Sequence, residues 1–341
     1  MLSKLSIKQK LILIMLIPLI VVILLAAKLA IDSFSTSKNL RALDRVVILS
    51  TKIGALVHEA QKERGMTAGF LGSSGEKFKV ELPAQRLNVD EKLKELNTLL
   101  NTFNKNEYSS EFLENLNLSL KKIEDLNNTR NGVNSLSLNA GIAIGYYTDL
   151  NKLLLNVIGS ITKLSNSATV SQQLVSYMNF LLSKERAGVE RAVGTNTFAK
   201  DSFGEGMKAK FYTLIAEQNA YMDSFLKVSD SKVVEFYKTN LKGDSVDEVE
   251  RIRKIALYSD IETNFEVDAN HWFKEITEKI NLLKKVEDYI SQTLIITIND
   301  EMSDSNQNMI IFGLLSIFGI ALTMILARTI AFTILIDVDS V

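Results

Sequence analysis

Val46, Leu49, Ile53, Leu56, Val57 and Ala60 recur at spacings of three and four, the apolar stripe of a helix packed into a bundle. The next place on that stripe, four residues beyond Ala60, holds Arg64. A guanidinium does not lose its charge and is costly to bury, so the pattern predicts an anionic partner there. A second stripe, Val170, Leu174, Tyr177, Leu181 and Gly188, leads to Arg191 and is interrupted by Lys184. Helical periodicity predicts helices over 32–71, 84–103, 112–126, 140–161, 170–193, 207–226 and 232–241, with a last one from His271 toward Met309. Gly65–Gly75 and Gly194–Gly206 read as glycine-bearing turns, and Asn104–Ser110, Asn127–Asn134 and Asp260–Asn270 as polar turns or loops. Ser245 and Glu248 have the spacing of a capping box. Leu87, Leu93, Leu96 and Leu100 are candidate core positions of the second helix. Strand signals are weak, so the fold class is all-α: two four-helix bundles flanked by two apolar helices.

Those apolar helices are Leu11–Ala27, extending to Ile31, and Met309–Ala327. Each is long enough to span a bilayer, and the first exceeds the apolar run of a signal peptide, roughly 7–15 residues. Lys4, Lys8 and Lys10 before the first, with Arg328 after the second, place both ends in the cytoplasm. The expected organisation is a cytoplasmic N-terminus at 1–10, membrane helices at 11–31 and 309–327, a periplasmic sensor at 32–308 and a cytoplasmic tail at 328–341. The expected location is therefore the inner membrane.

Charge and composition narrow the chemistry. The 341 residues carry 39 basic and 40 acidic side chains, two histidines and no cysteine. No basic block stands out, which argues against a nucleic-acid partner. Lack of cysteine excludes disulfides and thiolate metal sites. No catalytic set, phosphate loop, metal cluster or cofactor motif is present, so no enzyme activity, metal or cofactor is expected. His58 reads as a structural histidine, Trp272 with Phe273 as a core anchor, and Glu63 and Glu190 as partners of lysines or local caps.

Glu63-Arg64-Gly65 returns as Glu190-Arg191-Ala192, Gly75-Glu76 as Gly204-Glu205, and the pair Gln85 and Asp90 as Gln218 and Asp223. This is the signature of a duplicated helical unit. A rival alignment of Lys62-Glu-Arg64 with Lys184-Glu-Arg186 makes Arg186 a competitor of Arg191. Two guanidiniums facing one cavity repel each other unless an anion lies between them. A planar oxyanion such as nitrate or nitrite suits the arginine fork. The candidate ligand-binding set is Arg64, Arg191, Thr67, Gln85 and Gln218, with Thr195 and Thr197 as weaker donors.

Gln61-Lys-Glu-Arg-Gly65, Phe70-Leu71-Gly72, Leu82-Pro-Ala-Gln-Arg86, Val189-Glu-Arg-Ala192, Ala216-Glu-Gln218 and Trp272-Phe273 with Thr277-x-Lys279-Ile280 together resemble the nitrate- and nitrite-sensing domain over about residues 45–295. The resemblance implies paired four-helix bundles, with ligand arginines at positions matching Arg64 and Arg191. A domain of this kind between two membrane spans resembles the sensory part of a bacterial methyl-accepting chemotaxis receptor. That context implies a homodimer and a cytoplasmic signalling module or kinase complex as partners. In this reading the bound anion shifts the last helix relative to the first and so signals across the membrane. The other readings open at this point are a membrane-tethered scaffold or adhesin without a ligand, and a sensor of another small anion.

Overall fold

Hydroxyl and amide caps start three of the helices that the sequence pattern marks. Ser109, Asn139 and Ser167 each accept a hydrogen bond from the backbone N–H three residues on, satisfying one orphan donor of the first turn. In the computed structural model, which describes residues 7–104, 108–161, 165, 167–258 and 264–339, these caps belong to an all-α chain with no strand among the described residues. The helices are α1 (Ile7–Gly72), α2 (Glu81–Leu100), α3 (Ser110–Glu124), α4 (Leu126–Asn134), α5 (Ala140–Ser160), α6 (Ala168–Lys200), α7 (Met207–Val228), α8 (Ser231–Asn240), α9 (Asp244–Tyr258) and α10 (Ala269–Asp339). Parts of the predicted loops at Asn104–Ser110 and Asp260–Asn270, Lys4, and the ends of the two terminal segments lie outside the described residues.

Ala42–Thr297 form one compact unit. Its core takes up the whole α1 stripe from Val46 to Ala60, together with Val170, Leu174, Tyr177 and Leu181 of α6 and Trp272, Ile276, Ile280, Leu283, Val286 and Ile290 of α10. Three predicted turns are wholly or partly helical instead. Residues 127–134 form most of α4, a segment of poor intrinsic propensity held because Leu126, Thr129, Arg130 and Val133 are buried. Gly65, Gly69 and Gly72 lie inside α1 and Gly194 inside α6, and Gly65, Gly69 and Gly194 make room for large aromatic neighbours. A Cβ on Gly194 would lie 2.5 Å from Trp272 Nε1, and one on Gly69 2.4 Å from the Phe78 ring. Only past Gly72 does α1 turn, with Gly75 at φ +92° donating its N–H to the Phe70 carbonyl at 2.8 Å. Of the expected core positions Leu96 is buried and Leu87 is 69 % exposed, and α2 also buries Leu82, Gln85 and Val89. Ser245 lies within α9 and does not precede it.

The remaining described residues, up to Arg41 and from Ile298, form a second unit. Ser37 Oγ donates to Asn306 Oδ1 at 2.8 Å and Ser305 Oγ to the Ser33 carbonyl at 2.8 Å. Leu40 and Ile298 are buried, but many of its apolar residues are exposed, among them Leu24, Ile31, Ile317 and Phe318. By length and composition α1 and α10 are each apolar enough to cross a membrane.

Candidate functional site: two buried arginines

Within the Ala42–Thr297 unit, both arginines predicted to turn inward do so. Arg64 on α1 and Arg191 on α6 have no exposed surface. They lie against each other's helices at glycines. A Cβ on Gly188 would come within 2.8 Å of Arg64 Nη2, and a Cβ on Gly65 within 3.2 Å of Arg191 Nε. Each Nη1 donates to a threonine hydroxyl from a different helix, Arg64 to Thr148 of α5 at 3.1 Å and Arg191 to Thr277 of α10 at 2.9 Å. The Nε and Nη2 atoms of both guanidiniums are buried without a hydrogen-bond partner. Four such nitrogens in one place are far from the usual pairing of buried donors.

The two positions differ in one respect. Arg64 Nη1 also meets Glu185 Oε1 at 2.6 Å, in a pair almost wholly buried. Gln61 and Asn151 donate to the other oxygen of that carboxylate. Arg191 makes no ion pair among the described contacts; it stands over the Phe273 ring at 5.2 Å. Burial, and after it the positive charge of Arg64, press the Arg191 guanidinium down to about 9, while Glu59 and Glu185 act in the opposite sense. At neutral pH Arg191 remains a cation.

The glutamates beside the arginines hold the scaffold. Glu63 receives Arg130 Nε and Nη2, both at 2.8 Å, and the Tyr147 hydroxyl at 2.6 Å. Glu190 receives Arg253 Nε and Nη2, both at 2.6 Å, and Gln218 Nε2 at 2.7 Å. Both are two-pronged guanidinium–carboxylate pairs, so Glu63 and Glu190 pair with arginines and not with lysines.

The remaining predicted site residues divide. Thr67 is fully buried in α1 with an unpartnered hydroxyl, as is Thr197 in α6. Thr195 donates to the Arg191 carbonyl at 2.6 Å. Gln85 and Gln218 are not brought to the arginine pair: Gln85 Nε2 binds Glu59 Oε2 at 2.7 Å, and the Gln218 amide lies in the Glu190–Arg253 cluster. Arg186, the competitor, is partly exposed and pairs with Glu217. Sequence reasoning missed Thr148 and Glu185 and left Phe273 in the core. Thr277 figured only as one letter of a motif. A usable signal was present for Thr148 and Thr277, which follow their arginines by 84 and 86 residues. Trp272 is the anchor expected of it; it donates from Nε1 to the Arg191 carbonyl at 3.1 Å. His58 is buried, and its Nδ1 has no partner.

The two inward arginines thus sit in an all-α unit with unpartnered, buried guanidinium nitrogens. Residues 55–295 match the model of the family described as nitrate and nitrite sensing, and the chain belongs to that family. Among named relatives, the nitrate regulatory protein of Klebsiella oxytoca is 24 % identical over 253 residues, 74 % of this chain and 63 % of that protein. The chain therefore spans less than two thirds of that relative's length. The solved structure of the NasR transcription antiterminator has the same fold, with a TM-score of 0.71 at 22 % identity over 84 % of this chain and 83 % of that one. These relatives are regulators, and none is named as an enzyme.

Three expectations are corrected by them. Neither relative is a chemotaxis receptor, so the methyl-accepting, inner-membrane receptor that signals across the bilayer to a kinase complex does not stand. The scaffold or adhesin without a ligand goes with it, because the family is a sensing one. Exclusion of nucleic acid also fails, since a protein of this fold is titled a transcription antiterminator. Near-zero net charge averages over the whole chain and carries no information about what a regulator acts on.

Proposed function

We propose that the Ala42–Thr297 unit is the sensing part of a nitrate- and nitrite-responsive regulator, and that one planar anion sits between Arg64 and Arg191. One observation carries this reading: two fully buried guanidiniums, each against a glycine of the other's helix, leave Nε and Nη2 unpartnered. The edge formed by Nε and Nη2 is the one that takes two oxygens of a planar oxyanion in parallel hydrogen bonds. Charge-assisted hydrogen bonds contribute about 1.5–3 kcal/mol net each. Three or four of them, after the cost of ordering, are consistent with affinity near 1 μM, about −8 kcal/mol. Thr67 is a further donor in this reading. Gln85 and Gln218 support the scaffold instead, through Glu59 and Glu190.

Binding to the folded state alone raises the melting temperature. The expected result for the full chain is a rise with sodium nitrate or nitrite over sodium chloride at equal ionic strength. An unchanged melting temperature at millimolar nitrate contradicts the reading. Regulation as the output is supported by the name of the Klebsiella oxytoca relative. The exposed apolar stretches of α1 and α10 support membrane anchorage as a separate part of the proposal. Recovery of the chain in alkali-washed membranes is expected, and recovery in the soluble fraction removes the anchor.

A further inference from the structure

We propose that Glu185 sets the charge selectivity of the arginine site, so that it accepts one monovalent anion and rejects divalent ones. The inference rests on the arginine pair being the anion seat. Glu185 is 3 % exposed and fixed from two helices besides its own: by Arg64 Nη1 at 2.6 Å and Gln61 of α1, and by Asn151 Nδ2 of α5 at 3.5 Å. Its carboxylate occupies Nη1 of Arg64 and leaves the Nε and Nη2 edge open.

The other charges near the pair are matched among themselves. Glu59 is held by Lys62 at 3.0 Å. Lys184 is held by Glu287 at 2.5 Å, and Lys284 lies between Glu287 and Asp288. His58, at the place in the first half that Glu185 takes in the second, six residues before the arginine, is kept neutral by burial and by Lys184, Lys62, Arg191 and Lys284. Arg64, Arg191 and Glu185 therefore leave one net positive charge in a space closed to water. A monoanion cancels it. A dianion of similar reach leaves an unmatched negative charge buried, which low-dielectric surroundings penalise heavily. Equal arginines without the acid would favour the dianion instead.

Titration calorimetry of the full chain with sodium nitrate and sodium sulfate, at matched ionic strength in chloride buffer, tests this. The wild type is expected to bind nitrate at least about tenfold more tightly than sulfate. Glu185→Gln keeps the shape and the contact with Arg64, and is expected to move the nitrate-to-sulfate ratio toward sulfate by about tenfold or more. An unchanged ratio in Glu185→Gln overturns the proposal. So does a wild type that takes sulfate as tightly as nitrate, a result that decides the matter alone should the variant not fold. A wild type silent to nitrate contradicts the parent reading of the site. In that event a sulfate-dependent rise in melting temperature confined to Glu185→Gln still supports the charge rule, and an equally silent variant overturns it.

Discussion

The two halves of the Ala42–Thr297 unit are the same device built twice, with one acid's difference. In each, a glutamate on the central helix clamps a guanidinium from its own half: Glu63 takes Arg130, Glu190 takes Arg253. In each, the next residue is a buried arginine whose Nη1 rests on a threonine. Among the described residues only the first arginine faces a carboxylate, Glu185, and that carboxylate comes from the second half. Arg191 has an aromatic ring instead. The clamps therefore define the shape, and the arginines carry a surplus of charge and of donors that the shape alone leaves unsatisfied.

The largest effects should come from the clamps, and should be alike in both halves. Arg130→Met and Arg253→Met each leave a glutamate with no exposed surface facing no two-pronged partner. Each is expected to cost about 3–5 kcal/mol in denaturant unfolding. A cost below about 1 kcal/mol in one half alone would break the equivalence.

Next comes the contrast between the arginines themselves. Arg64→Met strands the Glu185 carboxylate and is expected to cost about 3–5 kcal/mol in the anion-free chain. Arg191→Met removes a buried cation that has no ion pair, so its cost should stay within about 1 kcal/mol. Equal losses in urea melts would show that Arg191 has an acidic partner after all. Smaller than the loss at Arg64, Thr148→Val and Thr277→Val each leave an Nη1 without its hydroxyl acceptor, at about 1–3 kcal/mol. The first should be milder, because Glu185 remains on Arg64 Nη1.

An effect seen only below neutral pH separates His58 from Glu185, its counterpart in the other half. Burial, and then Lys184 and its neighbouring cations, hold the His58 imidazole far below its ordinary 6.5. The unfolded chain takes up this proton as pH falls through 6.5 while the folded chain does not. Stability is thus fully present above that pH and falls below it, by about 1.4 kcal/mol per pH unit. Unfolding free energies of the wild type and His58→Gln between pH 7 and 5 should diverge by about that slope. Parallel profiles would mean that His58 takes up its proton in the fold.

Much of this was legible in the residue pattern, because stripes with a period of three to four identify buried helix faces whatever surrounds them. The same rule marked both arginines: a cation in an apolar register must find something within the fold. What the pattern hid was tertiary. Glu185 meets Arg64 from 121 residues away, and nothing in its own neighbourhood distinguishes it from the exposed acids. α4 is polar in sequence and becomes helical because Arg130 is drawn in to Glu63. Glycines read as turns because they free the backbone, yet Gly65, Gly69 and Gly194 are hollows in a helix surface that admit Phe273, Phe78 and Trp272.

The central claim is that the unpartnered edges of Arg64 and Arg191 are one anion seat. An experimental structure of the chain with nitrate tests it most directly. The account predicts a single planar ion within hydrogen-bond distance of Nε and Nη2 of both arginines, with Glu185 still on Arg64 Nη1. Nitrate found elsewhere, or either guanidinium turned to a new carboxylate with no ion between the two, would contradict it.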